Sequence, residues 1–526
     1  MSPKPDCDVL VCGLGPVGQL LSLLLGRRGV SVIAIDKAAE PYDLPRAAVV
    51  DDEVLRIFQA AGVVEEVLKQ SQPQGQVSFV TRGGRPVTLL RTDEGPHGHQ
   101  PLVSIHQPSL ERALVAALAE RESVEMRWGN RLERLLQTEN GVEVLVRRAE
   151  GDMLESITSR WVVGCDGGAS WVRQLLGIEF GGSTFRQRWL VVDARVDRPL
   201  AKVRHPHFFG DPGRPIVSLP MSPGRHRWEW MIHRGEDEGP FLDRASIRER
   251  IEPWLDGEEV SVERACVYTF HVRIAARWRE GRVLLAGDAA HLMPPFAGQG
   301  FSSGARDAAN LAWKLEAALR GAPGVLLDTY EVERRPHVTA FSRLAVALGG
   351  FVQTADRRVA VARDLFLTGL ERTGLAGWLR DRIKPLPAYR DGAFAERPAR
   401  LPFNRDVGAQ FPQPLVRTAA GEDVPLDDIT GFGWSALTIS DEFAEVMRAT
   451  NMRVLVLGGD LEDSSGVIRE WLVRSDATWV ILRPDRFVFA RGSDVDAARV
   501  ALDELHKHLG QAVPGVAARP IAEMVS

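Results

Sequence analysis

VLVCGLGPVGQLLSLLLGRRGVSVIAIDK, residues 9–37, decides the first domain. The apolar run 9–12 predicts a buried parallel strand. Gly13, Gly15 and Gly18 follow in the G-x-G-x-x-G spacing. Gly13 permits a tight turn, Gly15 lets backbone approach a pyrophosphate, and Gly18 lets the next helix pack close to the strand. That helix is expected over 17–28, with its N-terminal N–H groups toward the phosphates, and Gly29 ends it. A second strand over 30–35 closes at Asp36, with Lys37 beside it. The acid stands about 20 residues past the glycines, where it can bind ribose hydroxyls. Glycines in this spacing also serve turns in proteins without nucleotides. Here strand, turn, helix, strand and acid arrive in order, which predicts a dinucleotide site. NAD and FAD both stay open at this point, because an aspartate suits the unphosphorylated ribose of either.

A second stretch, RVLLAGDAAHLMPPFAGQGFSSGARDAANLAWKL (282–315), repeats the strand–turn–helix logic. The strand ends at Gly287 and Asp288, and a helix is expected from about Ser303. An aspartate at a strand's C-terminal end, beside a helix N-terminus, is placed to bind ribitol or ribose hydroxyls. Pro294 and Pro295, then Gly298, Gln299 and Gly300, make a stiff and then a permissive loop that can lie against a flat ring. Between the two stretches, VVGCDGGASWVRQLLG (162–177) runs from an apolar strand into Asp166 and two glycines.

With 526 residues the chain is long enough for two or three domains. Its net charge of −5 gives no general attraction to nucleic acid or anionic membranes. No stretch is apolar enough to span a bilayer, and MSPKPDCD at the start has no secretory h-region. The four cysteines are widely spread and form no C-x-x-C, so neither a metal site nor disulfides are expected. A cytoplasmic location follows.

The pattern predicts an α/β chain. Helices are expected over 109–120 and through most of 326–373, and strands over 124–127, 142–147 and 160–165. Short β patterns between 189 and 269 (VVDARV, HFF, PIVSLP, RWEWMIH, CVYTF) suggest a separate, mostly antiparallel sheet. A Pro-rich link is expected over 384–402. In the tail, strands over 453–457 and 478–482 alternate with helices over 465–473 and 494–509.

GLGPVG, CDGGASWVRQLLG and GRVLLAGDAAHLMPPFAGQGFSSGARDAANLAWKL resemble the three FAD signatures of the single-component (class A) flavoprotein aromatic hydroxylases. PRAAVVDDEVLRIFQAAGV, IHQPSLERAL, VYTFHVRIAARW, LLDTYEVERRPH, KPLPAYRDGA and VILRPDRFVFA resemble the 3-(3-hydroxyphenyl)propionate hydroxylase branch, so the likeness runs through nearly the whole chain. It implies a Rossmann-like FAD-binding domain (1–75, 101–180, 275–345) interleaved with a mostly antiparallel substrate domain (76–100, 181–274). A helical linker region (346–402) and a thioredoxin-like α/β domain (403–526) would follow. The tail has no cysteine, which excludes a dithiol role and leaves packing or oligomerisation, with a homodimer as the assembly considered.

The resemblance also implies roles. Gly13, Gly15 and Gly18 would hold the pyrophosphate of non-covalent FAD, and Asp36 the adenosine ribose. Arg46 and Gln107 would contact the diphosphate and ribitol, and Asp166 would sit near both FAD and a transient NADH or NADPH. Asp288 would bind ribitol, Pro295 and the loop Gly298–Gly300 would face the isoalloxazine, and Gly287 and Phe301 would belong to the cofactor site. Ser302 stands where relatives often carry asparagine, which weakens a side-chain contact there. The implied reaction hydroxylates a small phenol with NAD(P)H and O₂ through a flavin C4a-hydroperoxide, and the protein orients the ring and excludes water.

An ortho- or para-hydroxylase gains from deprotonating the phenol, which needs a nearby base or a proton path. The candidates are Tyr268 and His271, with His205, His207 and His233 behind them; Arg46 and Pro295 complete the expected catalytic set. For a substrate carboxylate an arginine clamp is favoured, from Arg214, Arg195 or Arg273. Trp228, Trp230 and Ile232 share one strand face that could line an aromatic pocket. The WEWMI run resembles part of the W-x-W-x-I-P signature of flavin halogenases, but His233 stands in the proline position. Two other readings are kept: a hydroxylase of larger polyketide-like aromatics, and a flavin-bound protein that stabilises an intermediate without turnover.

Overall fold

The computed structural model describes residues 4–91, 95–255, 257–373, 388–395, 407–448, 450 and 452–510. Cys7–Cys12 lies at the centre of a sheet, parallel to Val32–Ile35 on one side and to the end of Leu154–Gly164 on the other. Val124–Arg127 and Val283–Leu285 extend the parallel set outward. The central strands are buried on both faces, as covered parallel strands are, which is why they read as unbroken apolar runs. The first helix is Pro16–Gly26. Proline at its start has φ preset and no N–H to leave unpaired. Leu20, Leu21, Leu23 and Leu25 are buried within the unit. Residues 154–159 turn to pair antiparallel with Val142–Arg148, which pairs with Asn130–Gln137, a strand not expected from the pattern.

The second sheet has the order His291–Leu292, Val260–Ala275, Phe180–Val196, Arg225–Ile232, Ile216–Pro220, His207–Phe209, Gln76–Val80, Pro86–Arg91. All its pairs are antiparallel except 207–209 with 76–80. Side chains alternate between its faces. Leu190, Val192, Trp228, Trp230 and Ile232 form one core with Phe241, Ile247, Ile251 and Leu255, from the helices Gly239–Leu242 and Arg244–Leu255. Trp189, Val217 and Met231 point the other way, into a core with Phe79 and Phe296. Each such fully buried large side chain contributes roughly 1.5–3 kcal/mol.

Contacts divide the chain into two compact units. Both large sheets belong to the first, made of 1–95, 99–308 and 338–385. The second comprises 96–98, 309–337 and 386–526. Residues 309–337, expected with the cofactor domain, are compact with the tail. The reason is a shared core: Trp313, Ala317 and Leu326 pack with Trp434, Phe443, Trp479 and Phe489. In this unit the strands are ordered Arg453–Val456, Ser435–Thr438, Trp479–Leu482, Val488–Gly492, with only the third antiparallel to the rest. With the helices Asp441–Arg448, Val467–Arg474 and Val495–Leu509 this is a thioredoxin-like arrangement. The expected link over 384–402 lies outside the described residues apart from 388–395. Among the described residues, no single helix is long and apolar enough to cross a membrane.

Candidate flavin site

The three motifs meet through their glycines. A Cβ on Gly18 would stand 1.9 Å from the Gly13 carbonyl oxygen, and one on Gly13, at φ +107°, 2.4 Å from that of Cys165. A Cβ on Gly304 would lie 2.5 Å from Val17 and 3.3 Å from the Cα of Gly287. Turn 13–18, residue 165 and the 287–304 segment therefore touch with no room for side chains. Gly15 differs, since nothing lies within 4 Å of where its Cβ would be. Open space in front of that backbone, at the start of a helix, is a cradle that fits a pyrophosphate.

Asp36 accepts hydrogen bonds from the N–H groups of Leu14 (2.7 Å) and Ala38 (2.8 Å), so it braces the turn, while Lys37 is exposed. Asp166 accepts from the N–H groups of Trp171 (2.6 Å) and Val172 (3.0 Å), capping the helix Trp171–Leu175. Among the described residues its other oxygen is buried without a partner, and burial raises its pKa. Asp288 is exposed, yet desolvation still raises its carboxyl, against the opposing pull of His291 and Arg46. Both hold for a carboxyl opening into a deep recess. Its turn is fixed from behind: buried Asp307 accepts from the Gly287 N–H (3.1 Å) and pairs with His291 (2.6 Å).

Two buried polar chains hold the loops around the recess. Gln19 donates to the Leu14 carbonyl (2.8 Å) and to Glu111 (3.3 Å). Glu111 accepts from Gln107 (2.7 Å), whose amide oxygen accepts from the Ala47 N–H (2.7 Å). Gln107 thus connects the glycine turn to the loop carrying Arg46. The second chain centres on Arg306, which donates to Glu53 (2.6 Å), Asp51 (2.5 Å) and Gln299 (2.9 Å). Gln299 in turn donates to Asp51 (3.1 Å). Its side chain is committed to this chain and its carbonyl accepts from the Ser303 N–H (2.9 Å), which leaves its N–H for any ligand. The helix expected from Ser303 starts earlier, at Gly300, after a short turn Pro295–Ala297 capped by left-handed Gly298. Pro295 is exposed, and Phe301 stacks on Phe58 with ring centroids 6.2 Å apart.

The sheet supplies the opposite wall. Arg227, buried, binds Asp193 (2.6 and 3.1 Å) and also donates to the carbonyls of Arg46 (2.8 Å) and Pro45 (3.2 Å). Arg264 donates to the same Pro45 carbonyl and to the Tyr268 hydroxyl. Phe296 packs on Trp189 and Phe270, with centroids 5.8 and 5.6 Å apart. The sheet face that meets the Pro45–Arg46 loop and Phe296 therefore carries Arg227, Met231, Trp189 and Tyr268. Arg46 itself is exposed, stacked on Tyr42, and its charge acts on both Tyr268 and Asp288.

This corrects the expected pocket lining. Trp228 and Trp230 are 0% and 3% exposed and face the helices on the other side of the sheet. Arg214 spends both guanidinium ends on Glu236 (2.8 Å each), adds the Met231 carbonyl (2.9 Å), and lies over Phe241 on that same far side. Arg195 pairs with Glu263, and Arg273 reaches the Phe180 carbonyl. His271 binds Thr184 (2.9 Å), and strand alternation turns it away from the face of Tyr268 and Phe270. His205 sits between Gln76 and Ser78 and stacks on His207, and His233 binds the Gly213 carbonyl. Sequence reasoning missed Gln19, Glu111, Asp51, Glu53, Arg306, Arg227 and Asp193. The available signal was a run of acids, Asp51, Asp52 and Glu53, directly after an apolar strand.

A glycine cradle, a carboxylate in a recess and a Pro-Phe loop against an aromatic sheet wall are the build of a flavin-dependent aromatic monooxygenase. Residues 6–345 match the family described as FAD binding domain, and 457–508 match the HcaD C-terminal domain. The chain is 36% identical to the 3-(3-hydroxy-phenyl)propionate/3-hydroxycinnamic acid hydroxylase of Mycolicibacterium gilvum (strain PYR-GCK), over 93% of this chain and 90% of that one. The enzyme of the same name from Escherichia coli O8 (strain IAI1) is 34% identical over 92% and 91%. OxyS anhydrotetracycline hydroxylase from Streptomyces rimosus superposes with TM-score 0.78 at 27% identity, covering 96% of this chain and 99% of that one. Aklavinone-11 hydroxylase, solved with FAD and aklavinone, gives TM-score 0.78 at 25% identity with the same coverage. The chain belongs to the FAD-dependent aromatic hydroxylases, in the family of the 3-(3-hydroxyphenyl)propionate hydroxylases, and uses FAD with NAD(P)H and O₂.

Proposed function

We propose that this enzyme hydroxylates the ring of a small phenolic acid of the 3-(3-hydroxyphenyl)propionate or 3-hydroxycinnamate type. The observation that carries the reading is likeness to enzymes of that name over 93% of the chain, tail included. Bound FAD would carry the electrons of NAD(P)H and supply the oxygen chemistry. In this reading Gly13, Gly15 and Gly18 hold the pyrophosphate, and Asp36 and Lys37 flank the adenosine ribose. Arg46 and Gln107 serve the diphosphate region, Asp288 the ribitol and Asp166 the cofactor's near edge. Pro295, Gly287 and the backbone of 298–301 border the ring system, and Tyr268 faces the substrate. Phe296, Trp189 and Phe270 keep water from the reacting ring. The enzyme works in the cytosol, where its reductant is held.

The test is NADH and NADPH oxidation by the yellow holoenzyme with a panel of aromatics, paired with product analysis. The expected result is oxidation stimulated by 3-(3-hydroxyphenyl)propionate with one hydroxylated product per reductant. The two structural relatives solved or named with polycyclic substrates favour a second reading, a larger polyketide-like aromatic. Product from tetracyclic phenols alone would select it. No stimulation by any aromatic would leave a flavin-bound protein without turnover.

A further inference from the structure

The sheet wall that meets the Pro45–Arg46 loop and Phe296 is built in three rows. Register sets Leu219, Arg227, Asp193 and Arg264 side by side, then Val217, Glu229, Val191 and Cys266, then Met231, Trp189 and Tyr268. The first row is polar and grips the Pro45–Arg46 loop through Arg227 and Arg264. The third is aromatic and packs on Phe296, between Pro295 and Ala297. Glu229 is the carboxylate in the row between them, so it stands between the Pro45–Arg46 loop and the turn carrying Phe296.

Glu229 is 7% exposed. Its neighbours along its row are valines and a cysteine. Arg227 is the nearest cation, but that guanidinium is spent on Asp193 and on two backbone carbonyls. Among the described residues no hydrogen bond uses the Glu229 carboxyl, and an apolar residue would suit its row better. A carboxyl kept there needs a partner from the recess. A ring hydroxyl is such a partner, since it donates one hydrogen bond and becomes far more electron-rich on losing its proton.

We propose that Glu229 is the residue that accepts the proton of the substrate's ring hydroxyl. The O–H bond breaks, its electron pair stays on the ring oxygen, and the proton becomes that of the Glu229 carboxyl. After oxygen transfer, the substituted ring carbon loses its hydrogen to solvent and Glu229 returns its proton to the same ring oxygen. Burial pushes the Glu229 carboxyl up to about 7, with Asp193 adding to the rise and Arg227 opposing it. The other groups facing this wall are Arg264, Cys266, Tyr268 and Arg46. A base poised near neutrality suits proton transfer from a phenol. This role rests on the phenol hydroxylase reading above.

The experiment compares wild type, Glu229→Gln and Glu229→Asp as holoenzymes, measuring flavin content, the Kd of the phenolic acid, reductant oxidation and hydroxylated product against pH. In wild type, product formation should rise through a limb near pH 7. Glu229→Gln should keep its FAD, lose the limb, and form product about 100-fold or more slowly, with reductant diverted to H₂O₂. Glu229→Asp should recover part of the rate and the limb. A Gln variant within threefold of wild type, with the same pH limb, would overturn the proposal while leaving the hydroxylase reading intact. A variant that loses flavin or phenol binding together with product would overturn it in favour of a structural role. A wild type forming no hydroxylated product from any phenol would overturn both.

Discussion

Removing the Arg227 guanidinium should damage the enzyme in two separable ways. Arg227 and Asp193 are each 5% exposed at the side chain. Arg227→Met leaves Asp193 buried without its main counter-charge, and truncating one partner of such a pair costs about 3–5 kcal/mol. It also strips the Arg46 and Pro45 carbonyls of donors at 2.8 and 3.2 Å. A hydrogen bond from a charged donor contributes about 1.5–3 kcal/mol. Here that loss falls on the loop and hence on FAD retention.

Adding Asp193→Leu to Arg227→Met removes the stranded charge but restores no donor to the loop. Urea unfolding of the apoproteins should thus show at least about 2 kcal/mol of coupling between the two sites. Flavin retention through gel filtration should stay poor in both. A double variant as unstable as the sum of the singles would refute the buried-charge argument. An Arg227→Met protein that keeps its flavin as wild type does would refute the claim that this arginine holds the cofactor loop.

Gly15→Ala should leave the apoprotein's melting unchanged and lower FAD affinity at least tenfold, whereas Gly18→Ala, whose Cβ would meet the Gly13 carbonyl at 1.9 Å, should fail to fold; equal melting of the two apoproteins would contradict this. Trp228→Phe should lower stability by about 1–3 kcal/mol through lost packing and leave the KM for the aromatic within twofold, because its side chain faces the helices Gly239–Leu242 and Arg244–Leu255. In the C-terminal unit, buried Glu333 accepts from Arg483 (2.8 and 2.9 Å) and lies 2.8 Å from Lys314. Arg483 and then Lys314 offset the desolvation and hold its carboxyl at about 2, below the ordinary 4.5. Its stabilisation is complete above pH 4.5 and is lost as pH falls toward 2, about 3 kcal/mol in all. Desolvation lowers Lys314 to about 8, so between there and 10.5 the unfolded chain binds more protons and this residue's contribution improves as pH rises. Glu333→Gln should remove the acid limb from the urea midpoint, and an unchanged limb would assign it to other carboxylates.

The cofactor half of the site was legible because its signals are local. A turn that a Cβ would obstruct at 1.9 or 2.4 Å must be glycine, and the spacing 13–15–18 records that directly. The substrate wall was not legible, because alternation fixes which residues share a face but not which face meets the flavin. Trp228 and Trp230 drew attention for their rings, yet large aromatics are what the helices over 239–255 need to bury, and those helices were not read from the sequence. The brackets behind the loops were hidden for another reason. Gln19, Glu111 and Arg306 are polar residues within helices, and a sequence alone gives such residues to solvent. Each is instead 5% exposed or less.

Those hidden residues explain why the loops can serve at all. The loop around 38–48 and the turn at 294–299 have almost no regular backbone pairing of their own. Left free, each ordered residue would cost roughly 1–2 kcal/mol when the cofactor bound. The Gln19–Glu111–Gln107–Ala47 chain and the grip of Arg227 and Arg264 on Pro45 meet this cost during folding, as Arg306 does for Gln299. The cofactor's binding energy is then available for binding and orientation rather than loop ordering. The two arginine brackets are buried and charged, so each leaves a group that must be neutralised nearby, as Asp193 neutralises Arg227 and Asp51 with Glu53 neutralises Arg306. Glu229 neutralises no such bracket, and it is the one buried carboxylate of the wall that makes no hydrogen bond within the described residues.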